Sequence, residues 1–154
     1  MASAKQEQDI VVQIAKNFDS LDVSLPKLKK LVKAICNRFK LSKTTISIVI
    51  TNDAQIREIN TEFLNRKCTS DCLSFDLSDD ENQKLFELVV NGERAVKEAN
   101  LRGHSSEAEL ALYVTHSLLH NLGFDDSTKA QARKMHDTEN EILQQFGYDL
   151  VYND

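Results

Sequence analysis

The chain has 154 residues, which is the size of one domain and is enough to bury a core without disulfides or a structural metal. Hydrophobic residues make up 41% and charged residues 28%, with four glycines and one proline, so collagen-like and long disordered segments are excluded. The net charge of -5 argues against a protein that coats duplex nucleic acid. No apolar run approaches the roughly 20 residues that span a bilayer, so no membrane partner is expected. We therefore expect a single domain over residues 1–154.

The cysteines favour a reducing compartment. There are three of them, Cys36, Cys68 and Cys72, and the first nine residues contain no apolar stretch typical of a secretory signal. An odd number of cysteines without such a signal predicts free thiols in the cytoplasm. Cys36 is expected to be a small core residue. Cys68 and Cys72 lack the second pair of thiols of a zinc motif, so we expect two free thiols beside a strand.

Strand and helix patterns follow one another along the first hundred residues. β-branched runs predict strands, apolar residues at helical spacing predict helices, and Pro26 suits a first helical turn. A mixed four-stranded sheet packed with helices, an α+β fold, is the natural arrangement of these elements. The expected strands lie near 10–14, 46–50, 72–77 and 87–92, and the expected helices near 25–39, 53–63 and 93–99.

The first helix has a basic polar side. A solvated helix face is the simplest interpretation, and a surface that contacts phosphate groups is the alternative. The basic residues are Lys27, Lys29, Lys30, Lys33, Arg38 and Lys40, with Lys43 just beyond them.

The longest helix is expected to begin at Ser105 or Ser106. Ser106 and Glu109 have the spacing of a capping box, and Gly123 is well placed to end the helix. Its broad apolar surface is typical of a central, mostly buried helix. His104, just before it, is expected to be exposed or to cap the helix. A last helix is expected over about 127–146.

The segment HSLLHNLGFDD, residues 116–126, has the spacing of a metal site. His116 and His120 are four residues apart and therefore lie on one face of the helix, where both imidazoles can reach one ion. A turn at Gly123 can bring back a third ligand, and Asp126 stands at the offset expected for it. Asp125 is the alternative third ligand. The helix end is thus a candidate metal centre.

The same frame occurs in a class of zinc peptidases, H-E-x-x-H-x-x-G-x-x-H. Here Ser117 replaces the glutamate that serves as general base, and Asp126 replaces the third histidine. Aspartate is a legitimate zinc ligand, although its charge should make the metal a weaker Lewis acid. Two histidines and one carboxylate also suit iron, so spacing alone leaves the metal open. A peptidase is the weakest interpretation because Ser117 cannot act as the base.

HSLLHNLGFDD resembles the metal-binding segment of the YbeY family of metal-dependent endoribonucleases. Three further stretches are similar to that family: NTEFLNRKCTSDCLSF at 60–75, GHSSEAEL at 103–110 and FGY at 146–148. The resemblance covers about residues 8 to 150. It implies a mixed four-stranded sheet and a zinc ion held by His116, His120 and Asp126, the last in the position of the family's third histidine.

The resemblance also implies an activity. It implies cleavage of single-stranded RNA by a metal-bound water, with a role in ribosomal RNA maturation and ribosome quality control and with the ribosome or ribosomal proteins as partners. The family's phosphate-binding arginine is Leu64 here, so Arg66 and Lys67 become the candidates for that catalytic role. Ser74 either faces the active site as a catalytic residue or shapes the end of its strand. The alternative function is an RNA-binding or ribosome-binding module with little catalysis.

Overall fold

The computed structural model describes residues 9–65 and 70–148. In those ranges four strands form one mixed sheet, accompanied by five helices, which confirms the predicted α+β fold. The strands are β1 (Ile10–Lys16), β2 (Thr44–Thr51), β3 (Cys72–Asp76) and β4 (Lys84–Asn91). The helices are α1 (Leu25–Arg38), α2 (Asp53–Leu64), α3 (Gly92–Arg102), α4 (Ser106–Asn121) and α5 (Lys129–Gln145). Within the described ranges, no helix combines the length and the apolar character needed to cross a bilayer.

The sheet has the strand order β1-β2-β4-β3. The strands β1, β2 and β4 are parallel, and the edge strand β3 runs antiparallel to β4. Because β3 is antiparallel, its first residue, Cys72, pairs with Val90 near the end of β4. The start of β3 and the end of β4 therefore lie at the same edge of the sheet.

The core lies between one face of the sheet and α4. Alternate residues of the two central strands, such as Ile48 and Leu88, are fully buried on that face, as the period of two in a strand requires. On α4, Leu110, Leu118 and Leu119 are also fully buried. Residues all round this helix are buried because strands β3 and β4 and helices α1, α3 and α5 pack against it. The prediction of a central helix is confirmed.

The helix α4 begins at Ser106, as predicted, but the predicted capping box and the predicted end of β4 are wrong. The N-cap of α4 is Ser105, whose side chain accepts a hydrogen bond from the backbone N–H of Ala108 (3.1 Å), and Glu109 forms no capping box with Ser106 because it pairs with His104. Gly92 begins α3 rather than ending β4. A Cβ at this glycine would lie 3.0 Å from the side chains of both Ile50 and Phe18, so close packing favours a glycine there.

The end of α4 turns the chain sharply. Gly123 has a φ of 99°, and the N–H groups of Gly123 and Phe124 donate to the carbonyls of His120 (3.1 Å) and Leu119 (3.0 Å). These two hydrogen bonds define a Schellman motif, in which a glycine takes the left-handed conformation at low cost. The predicted turn at Gly123 is therefore present, and it folds the following residues back toward the last turn of α4.

Candidate metal centre

Three side chains converge at the C-terminal end of α4. His116 and His120 lie one turn apart, and their Nε2 atoms are 3.1 Å from each other. The turn at Gly123 brings Asp126 to them, with its Oδ2 atom 3.7 Å from each Nε2. Among the described residues, these three form the group of histidine and carboxylate side chains whose ligand atoms lie within 4.8 Å of one another. The structure thus brings together the three residues that the sequence predicts as metal ligands.

Both histidines are oriented through their other ring nitrogen. His116 Nδ1 lies 2.7 Å from Glu139 Oε2, and His120 Nδ1 lies 3.1 Å from the carbonyl oxygen of Phe124. A carboxylate and a carbonyl oxygen accept hydrogen bonds, so each Nδ1 carries the proton and each Nε2 presents a lone pair. Two lone pairs facing each other across 3.1 Å, beside a carboxylate, repel unless a cation lies between them.

The donor set fits a metal ion such as zinc. Zinc bonds of about 2.0–2.1 Å in a tetrahedron place neighbouring ligand atoms roughly 3.3 Å apart, and the separations here are 3.1 and 3.7 Å. Three protein ligands leave a fourth position open, which is typical of catalytic rather than structural sites. Asp126 is the most exposed of the three, with 44% of its side-chain surface accessible, compared with 21% for His116.

The alternative third ligand, Asp125, makes a different set of contacts. Its Oδ1 accepts hydrogen bonds from the backbone N–H groups of Asp126 (2.7 Å) and Ser127 (3.3 Å), and its Oδ2 accepts one from the Ser127 hydroxyl (2.9 Å). These contacts are those of a local turn that leads into α5. Of the two adjacent aspartates, Asp126 is the one placed with the histidines.

Glu139 is a candidate functional residue that the sequence patterns did not single out. It lies on α5 and is fully buried, although a buried carboxylate is costly unless it is paired. Its hydrogen bond to His116 is the arrangement commonly found behind metal-binding histidines, where a carboxylate fixes the ring and raises its basicity. A signal was present in the sequence, because Glu139 shares the apolar side of α5 with Met135 and Ile142 at helical spacing.

The surroundings of the site are acidic. Burial by itself lowers the pKa of His116, but the hydrogen bond to Glu139 and the charges of Glu139, Asp71 and Asp126 outweigh it, so that this pKa is raised. The neighbouring Cys72 thiol has its pKa raised well above the ordinary value by burial, and the charges of Asp71, Glu139 and Asp126 add to the effect. Carboxylates around neutral imidazoles favour a bound divalent cation.

The thiol predictions are confirmed where they fall on described residues. Cys36 is buried and Cys72 is half-buried, and both are free. Cys68 lies outside the described residues. Since Cys72 opens β3 beside the site but is not among the grouped ligands, its predicted role as a free thiol beside a strand holds.

Of the three predicted catalytic residues, only Ser74 lies in the part of the chain that the structure describes. Ser74 is half-buried on β3, and it pairs with the fully buried Leu88, so its side chain lies on the helix-covered face of the sheet, as does that of Cys72. Arg66 and Lys67 lie outside the described residues. Leu64, at the position of the family arginine, ends α2.

Two buried asparagines hold the chain where it enters β3. Asn60 donates to the Ser70 hydroxyl (3.1 Å), and Asn91 donates to the Ser70 carbonyl oxygen (3.1 Å). The backbone N–H of Asn91 also donates to the carbonyl of Asp71 (2.9 Å). Both asparagines are fully buried. They fix the residues that connect the Arg66 and Lys67 segment to the strand beside the metal centre.

Of two other residues near α4, Ser117 behaves as expected from the sequence and His104 does not. Ser117, in the position of the peptidase glutamate, is buried, and its hydroxyl donates to the carbonyl of Tyr113 (2.9 Å). The position therefore supplies no base to the metal centre. His104 is neither exposed nor a cap, since only 9% of its side-chain surface is accessible and its Nε2 lies 2.6 Å from Glu109 Oε1. The expected exposed or capping role of His104 is wrong because its side chain pairs with Glu109, five residues further along the chain in the first turn of α4.

Comparison with known proteins identifies the family of this chain. The family model described as Endoribonuclease YbeY matches residues 13–147. The chain belongs to the YbeY family. A curated relative named Endoribonuclease YbeY from Caldicellulosiruptor bescii is 31% identical over 151 residues, covering 87% of this chain and 96% of the relative. The relative of the same name from Heliobacterium modesticaldum is 34% identical and covers 71% of this chain and 74% of its own.

A solved structure supports the fold of this YbeY protein. The solution structure of a Thermotoga maritima protein covers 88% of this chain and 91% of its own, with a TM-score of 0.58. Its sequence identity of 19% makes this a likeness of fold alone. The resemblance stated from the sequence is therefore confirmed at the level of family and fold.

Proposed function

We propose that this YbeY protein is a metal-dependent endoribonuclease that cleaves single-stranded RNA. The observation that supports this most strongly is the convergence of His116, His120 and Asp126, whose ligand atoms all lie within 4.8 Å of one another. Membership of a family whose relatives are named endoribonucleases supplies the substrate class.

We propose zinc as the metal, held by the two Nε2 atoms and Asp126 Oδ2. When bound, such an ion supplies Lewis acidity and lowers the pKa of a coordinated water. Glu139 keeps the proton on Nδ1 of His116, and the Phe124 carbonyl does the same for His120, so that neither ring can turn its protonated nitrogen toward the ion. The exposed side of Asp126 is the side from which a phosphate group would approach.

The residues that hold the phosphate are a further part of this proposal. Arg66 follows Leu64 by two residues, and a guanidinium can hold a phosphate with two parallel hydrogen bonds. Lys67 would add a second positive charge and Ser74 a hydroxyl donor. Asn60 and Asn91 support this assignment, since they fix Ser70 and Asp71 at the end of the segment that contains Arg66 and Lys67.

The biological setting that we propose is ribosomal RNA maturation and ribosome quality control in the cytoplasm, within a single domain over residues 1–154. The family supports an RNA-processing role. The free thiols of Cys36 and Cys72 agree with a reducing compartment. The ribosome and ribosomal proteins are the expected partners.

The test is cleavage of a labelled single-stranded RNA by zinc-loaded protein, with the same strand in a duplex as the comparison substrate. We expect cleavage of the single strand, little cleavage of the duplex, and loss of both zinc and activity in His120→Ala. The variant, purified in the same way, also controls for contaminating nuclease. Equal cleavage by wild type and variant would contradict the proposal. Tight binding without cleavage by zinc-loaded wild type would favour the alternative, an RNA-binding module.

A further inference from the structure

The positive charge of this acidic protein is concentrated on α1 and the turn after it. Residues 25–43 contain seven lysines and arginines and no acidic residue. Since the whole chain has 19 basic and 24 acidic residues, the rest of the chain has only 12 basic residues against 24 acidic ones. Such segregation creates a local positive potential on a molecule whose overall charge is negative.

Most of this charge is exposed and unpaired. Arg38 pairs with Glu141 (3.0 Å), and Lys27 lies over the Tyr148 ring. Four other lysines are exposed on α1 or just beyond its end, and they form no ion pair with any residue that the structure describes. We call them the lysine stripe: Lys29, Lys30, Lys33 and Lys40.

The geometry of the stripe follows the helix. Lys29 and Lys30 lie four and three residues before Lys33, so these three lysines share one face of α1, and Lys40 lies two residues beyond the last residue of the helix. At a rise of 1.5 Å per residue, Lys29 to Lys33 span about 6 Å along the helix axis. Lysines at these spacings repel one another, and α1 contains no acidic residue to offset the repulsion.

Lys40 occupies a position that favours glycine. Its φ is 58°, and the N–H groups of Lys40 and Leu41 donate to the carbonyls of Asn37 (3.1 Å) and Cys36 (2.9 Å). This is the Schellman motif that also ends α4, where Gly123 takes the left-handed position. A lysine at this position lowers the stability of the fold relative to a glycine. Charge is thus kept at a conformational cost, which is typical of a residue with a function.

The end of the stripe reaches the loop of the metal centre. Phe39, next to Lys40, packs edge-on against Phe124, with ring centroids 5.7 Å apart. Phe124 provides the carbonyl that orients His120, and it precedes Asp126 by two residues. Lys134 of α5 lies 6.0 Å from the centre of the Phe124 ring on this same loop. Positive charge therefore continues from α1 to the edge of the metal centre.

We propose that the lysine stripe binds the sugar-phosphate backbone of the RNA strand and leads that strand to the metal centre. The proposal rests on the proposed function, since the metal centre defines which polyanion is bound. RNA fits better than an anionic membrane, because a membrane-bound basic helix presents apolar residues beside its lysines. In α1 the apolar residues Leu28, Leu31 and Val32 are fully buried.

The test measures the binding of a fluorescent single-stranded RNA by anisotropy at several salt concentrations, in the His116→Ala background to prevent cleavage. Each phosphate contact contributes about 0.7 to the slope of log affinity against log salt for a single strand. We expect Lys33→Gln with Lys40→Gln to reduce the slope by about 1.4 and to weaken binding on the order of tenfold near 0.1 M salt. Lys33→Arg with Lys40→Arg should restore both.

The matched control removes two exposed basic residues from another surface. Lys97 and Arg102 lie on α3, where each pairs with a carboxylate. Lys97→Gln with Arg102→Gln makes the same change in net charge, and we expect the affinity and salt slope of the background protein. A slope reduced equally by both double variants would show a response to net charge alone and would overturn the proposal.

Lys40→Gly separates loss of charge from loss of folding. We expect this variant to unfold at a higher temperature than its parent while binding RNA with a lower salt slope, because glycine relieves the left-handed backbone but removes the charge. An unchanged affinity for RNA in Lys40→Gly and in the Lys33 and Lys40 double variant would overturn the proposal.

Two outcomes distinguish RNA binding by the lysine stripe from membrane binding and from the proposed nuclease function. If the lysine variants lose binding to phosphatidylserine vesicles but keep binding to RNA, the stripe serves a membrane, and the proposal is wrong. If zinc-loaded wild type binds RNA through the stripe but does not cleave it, the proposed function fails and the stripe remains an RNA-binding surface.

Discussion

The two ends of α4 each hold a histidine paired with a buried glutamate. At the N-terminal end, His104 Nε2 lies 2.6 Å from Glu109, and at the C-terminal end, His116 Nδ1 lies 2.7 Å from Glu139. The pairs are alike in residue type and length, and both glutamates are buried. They differ in which ring nitrogen the carboxylate takes and in what the other nitrogen faces.

That difference separates a structural pair from a candidate metal centre. Glu139 takes Nδ1 of His116, which leaves Nε2 facing His120 and Asp126. Glu109 takes Nε2 of His104, and His104 is not part of any metal-like group among residues 9–65 and 70–148. The comparison teaches that a histidine–carboxylate pair indicates a metal site only when a second and a third ligand converge on the free nitrogen.

The largest expected difference is in zinc content and RNA cleavage, between two variants that each lack the histidine at one end of α4. We expect His116→Ala to lose zinc and to lower the rate of RNA cleavage by more than about a hundredfold, since a metal ligand and its charge stabilisation are removed. His104→Ala should retain about one zinc per chain at low temperature. Elemental analysis and initial cleavage rates check both. Retention of zinc in His116→Ala would place the metal elsewhere.

The second effect comes from the two glutamates. Glu139→Gln keeps an acceptor for His116 Nδ1 but removes the charge, and we expect zinc affinity to fall by roughly 10–100-fold. Glu109→Gln makes the same chemical change at the other end and should leave zinc affinity unchanged. Competition with a chelating dye measures both affinities. An equal loss of zinc affinity in the two variants would mean that Glu109 contributes to zinc binding as much as Glu139 does, which would contradict the prediction.

The third effect is on stability and should be largest at the N-terminal end. Glu109→Ala leaves His104 and the hydroxyl of Tyr113 without their buried partner. We expect a loss of about 2–3 kcal/mol in the free energy of unfolding, since buried groups without partners carry their full desolvation cost. Thermal unfolding should detect it while zinc content stays the same. Glu98→Ala, at surface ion pairs on α3, is the control and should cost roughly 1 kcal/mol or less.

The smallest effect is a pH dependence at the C-terminal end. Burial lowers the pKa of His116, but Glu139, Asp71 and Asp126 raise it above the ordinary 6.5. In metal-free protein the protonated His116 therefore stabilises the fold below the ordinary pKa, and this contribution is lost as the pH rises through the raised one. Denaturant unfolding from pH 5 to 9 should show the decline, and Glu139→Gln should flatten it. A decline in stability of the same size in Glu139→Gln would contradict the assignment of this pH dependence to the pairing of His116 with Glu139.

Much of the fold was predictable because local sequence patterns determine many of its strands and helices. The β-branched run at Ile46 to Ile50 and the apolar face of α1 fix a strand and a helix by their periods, and Gly123 ends α4 as expected. The two local predictions that failed depend on contacts made in the folded state. Gly92 packs closely against Ile50 at the start of α3, and Ser106 forms no capping box with Glu109 because Glu109 is paired with His104.

The sequence by itself determined the family, the α+β fold and the grouping of His116, His120 and Asp126, because one helical turn and one glycine turn set the spacing of these candidate ligands. Only the tertiary structure showed that Glu139 orients His116, since α5 must fold back onto α4 before the two side chains meet. The same holds for the contact between Phe39 and Phe124 that joins the lysine stripe to the metal loop. Spacing along one helix is a local property of the chain, whereas an orienting carboxylate and a shared surface require elements distant in sequence to pack together.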